Sequence, residues 1–205
     1  MLIGKKDKAD ISRARILDAA AGLFRQYGYG QVSLRVIAEA AGMKSGSLYY
    51  HFASKEAIVV EVLDLGIEMV HQKVDTAICA MSEQASAGEL LHAGILNHLQ
   101  ALFAFSDYTS ANVRIYGQVP DEVRKANRRV RRRYEALWMS ILSRAEESGG
   151  LRASVDHDAF KLMLIGSLNA TLEWFDPVKD DVQKLADSYT EILLGGLLNH
   201  VESNV

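Results

Sequence analysis

Hydrophobic residues recur every three or four positions along most of this chain, and that spacing is typical of amphipathic α-helices. In the first such segment the repeated positions include Ile16, Ala20, Leu23 and Tyr27, which share one face of a helix. No stretch alternates between apolar and polar residues strictly enough to predict a β-strand. The pattern predicts α-helices over residues 12–27, 34–41, 45–50, 54–80, 89–106, 110–117, 120–148, 156–175 and 181–202.

Residues that start or stop helices lie at the edges of these segments. Ser33 and Ser54 are placed to cap the second and fourth helices, because a serine oxygen accepts a hydrogen bond from a free N–H of the first turn. Gly42 separates the second helix from the third, and Gly149 breaks the seventh. The chain has only two prolines, and Pro177 marks the end of the eighth helix. The sequence therefore predicts an all-α protein.

The charge of the chain is unevenly distributed. Of its 205 residues, 49% are hydrophobic and 24% charged, which is a globular composition. Residues 1–56 hold nine Lys or Arg against five Asp or Glu, whereas residues 57–205 hold fourteen against twenty-one. A basic head on an acidic body suits a polyanionic partner at one end, although chance unevenness explains the same numbers.

Two features bear on where the protein works. Cys79 is the only cysteine, so the chain forms no internal disulfide. The N-terminus is basic and has no apolar core after it, and no uncharged apolar run approaches the ~18 residues of a membrane span. We therefore expect a cytoplasmic protein without a membrane partner.

Residues 33–52 predict two short helices joined by a tight turn, which is the arrangement of a helix-turn-helix. Such a motif inserts its second helix into the DNA major groove, ~12 Å wide, and so needs small and polar residues on the outer face of that helix. Leu48 and Phe52 are placed to face the core. The alternative is an ordinary small helix with exposed aromatic residues. The candidate DNA-binding residues are Ser33, Arg35, Lys44, Ser45, Gly46, Ser47, Tyr49, Tyr50, His51 and Lys55.

A dense set of short motifs covers about residues 16–58. These motifs are Ile16-Leu17-Asp18-Ala19-Ala20, Leu23-Phe24, Tyr27-Gly28-Tyr29, Ser33-Leu34-Arg35-Val36-Ile37-Ala38, Ala41-Gly42-Met43, Gly46-Ser47-Leu48-Tyr49-Tyr50-His51-Phe52 and Ser54-Lys55-Glu56. In these residues the sequence resembles the TetR family of transcriptional regulators. One position departs from the family pattern, because Lys44 stands where a Ser or Thr helix cap is common. Either Ser45 caps the helix instead, or Lys44 reaches a DNA phosphate.

The resemblance implies an all-helical protein of about nine helices, with a DNA-binding domain at 1–56 and an effector-binding and dimerisation domain at 57–205. A two-fold dimer presents two recognition helices ~34–36 Å apart, so its DNA operator is expected to be near-palindromic. The family typically releases its operator when a small molecule binds. We therefore expect a homodimeric repressor whose partners are double-stranded DNA and a small-molecule effector, with no cofactor.

The last two helices carry few charges and several small residues. Eleven uncharged residues lie between Lys161 and Glu173, and a helix that is apolar on most sides is buried on most sides. In relatives within the TetR family the last two helices usually pair with those of a second copy, whereas a core helix without a partner chain is the alternative. The predicted dimer interface consists of Leu164, Gly166, Ser167, Leu168, Ile192, Leu193, Gly196 and Leu197.

The segment 124–133 holds six arginines and one lysine. It forms either a solvated basic face or an anion site for a phosphate-bearing ligand, because guanidinium groups match phosphate. Some TetR-like regulators of lipid or sterol breakdown bind coenzyme A thioesters, and the body of this chain loosely resembles theirs, so an acyl-CoA-like ester is a candidate effector. Aromatic and Met residues at helical spacing also form ordinary cores. The candidate ligand-binding residues are Phe103, Tyr116, Arg128, Arg132, Trp138, Met163 and Trp174.

Catalytic and metal-binding motifs are absent from the sequence. None of the six histidines shows the i, i+4 spacing of a helical zinc site, and no phosphate-binding loop, dinucleotide glycine pattern or nucleophile elbow occurs. We therefore predict that the protein is not an enzyme and has no metal site. The competing hypothesis is a helical small-molecule carrier or enzyme whose head no longer reads DNA. The acidic body disfavours a DNA-packing protein.

Overall fold

The fold is described from a computed structural model, which defines residues 8–151 and 154–195. Within these ranges the chain forms nine α-helices and one 3₁₀ turn, and it contains no β-strand. The all-α prediction is therefore confirmed. The helices are α1 (Lys8–Gln31), α2 (Leu34–Ala40), α3 (Ser45–Leu48), α4 (Lys55–Cys79), α5 (Ala87–Ala104), α6 (Ser106–Ile115), α7 (Asp121–Glu147), α8 (His157–Ala170) and α9 (Val182–Gly195), with the 3₁₀ turn at Thr171–Glu173.

The largest differences from the predicted helices lie at their ends. α1 begins at Lys8, where an acidic residue in the first turn favours the helix dipole, and α6 begins at Ser106 rather than at residue 110. α8 ends at Ala170 instead of continuing to residue 175. There the Thr171 hydroxyl donates to the Leu168 carbonyl at 2.6 Å, and the last turn tightens into a 3₁₀ turn. The predicted continuation of α9 to residue 202 lies outside the described residues.

Two glycines, at the end of α7 and near the end of α1, have a left-handed backbone. Gly149, with φ of +74°, ends α7 as predicted. Gly28, with φ of +76°, kinks α1 without ending it, because the next N–H, of Tyr29, donates to Gln118 Oε1 at 3.0 Å. A Cβ atom at Gly28 would lie 2.9 Å from the same oxygen, but this is the flexible end of the Gln118 side chain, so it is the backbone angle that favours glycine.

Packing divides the chain into two compact units. The first unit consists of the described residues up to Ile67 together with Phe105–Arg131, and the second consists of Glu68–Ala104 and the described residues from Arg132 onward. The functional division predicted at residue 56 stays a prediction, but packing does not divide the chain there. The reason is that α6 and the first part of α7 pack with the N-terminal helices.

The first unit is built around an apolar core to which α1, α2, α3, α4 and α6 all contribute. Ile16, Ile37, Leu48, Ile58 and Ile115 are each fully buried within it. Burial of each such side chain contributes about 1.5–3 kcal/mol, so this core fixes the helix-turn-helix on a rigid base.

The second unit packs α5 against α9 and α8. Its largest fully buried side chain is Trp138, on α7. Gly94 of α5 makes room for this ring, because a Cβ atom there would lie 2.9 Å from Trp138 Cη2. No helix among the described residues is long and apolar enough to cross a lipid bilayer.

Candidate nucleic-acid interface and effector residues

The helix-turn-helix consists of α2, a turn at Gly42 and α3. The Ser33 hydroxyl accepts a hydrogen bond from the Val36 N–H at 3.3 Å and caps α2 as predicted. Gly42 has φ of +67°, and the Met43 N–H donates to the Ala38 carbonyl at 2.9 Å. The chain therefore reverses direction immediately after α2 and leads straight into α3.

The segment from α3 to residue 52 presents a polar outer face above an apolar base. Leu48 and Phe52 are buried, as their spacing predicted, with exposed fractions of 0% and 4%. Tyr49 and Tyr50 are 60% and 91% exposed, and His51 is half-buried. Hydroxyl and imidazole groups are thus available to a partner. The other predicted contacts that are exposed in this region are Ser33, Arg35, Lys44, Ser45, Gly46 and Ser47.

The start of α3 has no side-chain cap. Lys44 occupies the position before the helix with an extended backbone, Ser45 is the first helical residue, and no side chain caps the helix. Ser45 therefore does not replace the missing cap. The remaining alternative, in which Lys44 reaches a DNA phosphate, stays a prediction.

Lys55 is turned inward, which corrects its predicted role as a DNA contact. Its Nζ donates to the carbonyl oxygens of Tyr29 at 2.7 Å and Val32 at 2.8 Å, and burial lowers its pKa. The neighbouring Glu56 accepts a hydrogen bond from the Tyr29 hydroxyl at 2.8 Å. Burial and this hydrogen bond raise the pKa of Tyr29 to about 12. Lys55 and Glu56 therefore join the end of α1 to the start of α4 and position the motif.

Two arginines of α1 that the sequence reasoning did not select also contact the motif. Arg15 Nη2 donates to the Ala41 carbonyl at 2.8 Å and satisfies an acceptor at the end of α2. Arg13 forms an ion pair with Glu61, and its guanidinium lies 4.6 Å from the centre of the Phe52 ring. Their spacing in the sequence gives no signal of these contacts, which only the packing of α1 against the motif creates.

The candidate effector residues are divided between the two units and differ in burial. Trp138 is fully buried, and Phe103 is half-buried with its ring centre 5.0 Å from that of Phe175. Met163 and Trp174 are 51% and 60% exposed, so their side chains do not line an enclosed cavity within the chain, and their role in ligand binding stays a prediction. Tyr116 and Arg128 belong to the first unit, and Phe103, Arg132, Trp138, Met163 and Trp174 to the second.

Tyr116 and the arginines of α7 have different surroundings. The Arg131 guanidinium covers the Tyr116 ring at 3.5 Å from its centre, so this face of the ring is occupied. Arg128 and Arg132 are exposed. The basic segment thus combines arginines that bond within the first unit, Arg124 and Arg131, with others that face solvent.

The residues predicted for the dimer interface fall into four groups. Leu164 and Leu168 are fully buried within the chain, so they are core residues and their assignment to the interface is wrong. The opposite side of α8 is exposed at Gly166, and Ile192 of α9 is 76% exposed. Ser167 and Leu193 are half-buried, and Gly196 and Leu197 lie outside the described residues.

Comparison with known proteins identifies the family. The model for bacterial regulatory proteins of the tetR family matches residues 16–62, and the model for a tetracyclin repressor-like C-terminal domain matches residues 84–197. This chain belongs to the TetR family.

Individual members of the TetR family are similar along nearly the whole chain. The HTH-type transcriptional repressor KstR2 of Rhodococcus jostii (strain RHA1) is 30% identical over 194 residues, which cover 90% of each protein. The fatty acid metabolism regulator protein of Bacillus subtilis (strain 168) is 27% identical, over 90% of this chain and 95% of that protein. The structure of the transcriptional regulator FadR from Bacillus subtilis in complex with stearoyl-CoA has the same fold, with a TM-score of 0.76, 24% identity, and coverage of 89% of this chain and 98% of that one.

As a TetR-family member, the chain is a DNA-binding transcriptional repressor and not an enzyme. Two polar residues of its second unit, His98 and Tyr134, are buried beside Trp138, and the sequence did not mark either as a functional residue. His98 lies on the apolar face of α5 and belongs to no motif, so no sequence signal distinguishes it from a core residue.

Proposed function

We propose that the chain is a homodimeric repressor that leaves a near-palindromic DNA operator when a small-molecule effector binds. The observation that carries the proposal is the outer face of the α3 region, where Tyr49 and Tyr50 are exposed above the buried Leu48 and Phe52. The hydroxyl groups of these tyrosines suit contacts with base edges and phosphates. The exposed ammonium group of Lys44 adds positive charge beside them.

The dimer is supported by apolar surface on the last two helices. Leu162 and Met163 of α8 are 62% and 51% exposed, and Ile192 of α9 is 76% exposed. Large apolar side chains in solvent suit a protein partner, and a second copy offers the same surface through two-fold symmetry. Such a dimer presents two recognition helices to successive turns of the DNA, which is the reason to expect a near-palindromic operator.

The effector that we propose is an acyl-CoA-like ester. One relative regulates fatty acid metabolism, and the FadR structure contains stearoyl-CoA. The exposed guanidinium groups of Arg128 and Arg132 suit the phosphates of such a ligand. The ligand releases the operator only if it binds better to a geometry of the dimer that does not fit the DNA.

The experiment that tests the proposal selects bound duplexes from a random DNA pool with ligand-stripped protein at near-physiological salt. The expected result is one enriched, near-palindromic sequence, from which stearoyl-CoA releases the protein. Binding should weaken steeply as salt rises, because phosphate contacts release counterions. Absence of any enriched sequence would contradict DNA reading and place the carrier hypothesis first.

Variants of the α3 region test the residues themselves. Tyr49→Ala and His51→Ala should each lower specific operator affinity about tenfold or more, since one base contact contributes about 1–3 kcal/mol. The matched control is Tyr27→Ala, which removes an equally large and 47% exposed side chain from α1. Circular dichroism checks that the variants fold. If both α3-region variants bind the operator like the parent, this region does not read DNA.

A further inference from the structure

Three aromatic side chains of the second unit form a buried polar cluster, here called the His98 cluster: His98 of α5, and Tyr134 and Trp138 one turn apart on α7. Their exposed fractions are 1%, 7% and 0%. Tyr134 Oη lies 2.5 Å from His98 Nδ1, and the ring centres of His98 and Trp138 are 6.4 Å apart. The two helices thus bring hydrogen-bonding atoms together in an otherwise apolar interior.

Two nitrogens of the His98 cluster complete no hydrogen bond: His98 Nε2 and Trp138 Nε1. Across residues 8–151 and 154–195, they are the only buried side-chain nitrogen or oxygen atoms in this condition. Side-chain hydrogen bonds with Asn169 and Trp138 act on the pKa values of His98 and Tyr134, respectively, but neither contact has the distance and angle of a full hydrogen bond at His98 Nε2 or Trp138 Nε1. A buried N–H group without an acceptor lowers stability, so a folded protein that retains two in one cluster points to a binding role.

The protonation of His98 follows from its surroundings. Burial lowers its pKa to about 4, with Asn169 acting in the opposite direction, so the ring is neutral at pH 7. When the Tyr134 hydroxyl donates to Nδ1, Nε2 carries the ring hydrogen. The reverse arrangement would also leave the hydroxyl hydrogen without an acceptor, so the first is favoured. His98 Nε2 and Trp138 Nε1 are therefore two neutral N–H donors.

The group that complements two neutral donors in an apolar interior is an uncharged acceptor. Ile95 and Leu99 of α5 and Ile141 of α7 are fully buried in the same unit. An interior of this kind disfavours a carboxylate or phosphate, because a charge loses its hydration there. A carbonyl oxygen accepts two hydrogen bonds, carries no charge and is flanked by carbon on a lipid-like ligand.

We propose that His98 and Trp138 bind the carbonyl oxygen of the effector through their free N–H groups, with Tyr134 holding the imidazole in the donor form. The inference rests on the proposed function and assigns to named residues the chemical group that they recognise. An acyl thioester and a polycyclic ketone share this group, so the two sources are tested separately.

The first experiment compares two ligands that differ only at this group: stearoyl-CoA, and its thioether analogue S-octadecyl-CoA, in which a methylene replaces the carbonyl. The full chain carries Trp174→Phe, which leaves Trp138 as the single tryptophan and its fluorescence as the binding signal. The thioether loses both hydrogen bonds, each worth about tenfold, so it should bind about a hundredfold more weakly. With His98→Phe added only the Trp138 bond remains, so the preference for the thioester should fall to about tenfold.

A second variant keeps the test independent of whether His98→Phe folds. Trp138→Phe retains an aromatic ring but removes the part of the indole that carries the N–H group. Ligand binding by this variant is measured as release of the protein from the selected operator. The substitution should also reduce the preference for the thioester. The control is Asn97→Leu, on the same helix, whose amide bonds only to the Ala93 carbonyl of its own turn, at 2.9 Å. This variant should keep the full preference.

The ketone arm repeats the comparison with androstenedione and the corresponding diol, in which hydroxyl groups replace both ketones. A preference for the ketone that His98→Phe reduces would identify a sterol-type source for the same carbonyl. Equal binding within each ligand pair by the parent, or no binding of either pair, would overturn the inference. Failure of the protein to select any operator would instead overturn the proposed function, so the two failures are distinguishable.

Discussion

The two units of this molecule both bury polar side chains, but only one of them completes its hydrogen bonds. In the first unit Asn127 donates to Asp64 at 2.6 Å and accepts from Arg131 at 2.8 Å, and Arg131 donates to Asn112 at 2.6 Å. In the second unit the His98 cluster leaves two nitrogens without acceptors. The same kind of polar burial therefore has two different outcomes in one chain.

The difference separates a scaffold from a receptor. The Asn127 network of the first unit joins α4, α6 and α7, and Asn112 extends it by donating to the Leu63 carbonyl at 2.7 Å. A buried network in which each member is bonded holds its helices in one arrangement, which suits the unit that carries the helix-turn-helix. Two unsatisfied donors do not hold their helices in one arrangement. A ligand whose acceptor bonds to them is bound more favourably, because the donors then complete their hydrogen bonds.

Loss of Asn127 is expected to have the largest effect on stability. Asn127→Leu fills similar volume but removes the hydrogen bonds to Asp64 and Arg131, and Asn127 is fully buried. The free energy of unfolding should fall by about 3 kcal/mol, because charged partners lose buried hydrogen bonds. Urea unfolding followed by circular dichroism measures the change.

The control for this variant is the same substitution in the second unit. Asn97→Leu affects a half-buried amide that bonds only within its own helix, so the free energy of unfolding should change by less than about 0.5 kcal/mol. Equal losses in the two asparagine variants would show that the hydrogen bonds of the Asn127 network do not stabilise the first unit.

The His98 cluster should make the stability of the protein depend on pH. The pKa of His98 is lowered to about 4 in the folded chain, whereas an unfolded histidine has a pKa of about 6.5. As the pH falls below 6.5 the unfolded chain therefore takes up the proton first. The contribution of neutral, buried His98 to the free energy of unfolding is fully present above the pKa of the unfolded histidine and is lost as the pH falls toward 4.

Between pH 7.5 and pH 5 this histidine should reduce the free energy of unfolding by about 2 kcal/mol. His98→Phe has no such proton to bind, so its stability should decline by that much less over the same interval. Urea unfolding of both proteins at the two pH values gives the difference. Parallel pH profiles would mean that His98 is not buried in its neutral form.

Sequence patterns predicted the first unit better than the second. Helical periodicity together with Ser33, Gly42 and the Leu48–Phe52 spacing placed the helix-turn-helix, because those signals are local and each acts within a few residues. The same signals failed for Lys55, whose inward orientation depends on carbonyl groups more than twenty residues earlier in the chain.

The second unit shows the same limit more strongly. The apolar run of α8 indicated burial but not which side is buried, so Leu164 and Leu168 were assigned to an interface although they are core residues. His98 and Tyr134 are 36 residues apart and meet only because α5 packs near α7. A polar cluster whose residues come from helices far apart in the sequence has no recognisable spacing pattern, and only the three-dimensional packing reveals it.

Gly94→Ala is expected to have the smallest effect on stability, and it directly tests the position of Trp138 in the His98 cluster. A Cβ atom at this position would lie 2.9 Å from Trp138 Cη2, and the fully buried ring has little room to move. Gly94→Ala should therefore lower the free energy of unfolding by about 1–2 kcal/mol through overpacking and shift the Trp138 fluorescence in the Trp174→Phe background. Gly88→Ala is the matched control, because no atom lies within 4 Å of a Cβ there, and it should be neutral or slightly stabilising. If Gly94→Ala behaves like Gly88→Ala in both measurements, Trp138 is not held in the position on which the His98 cluster depends.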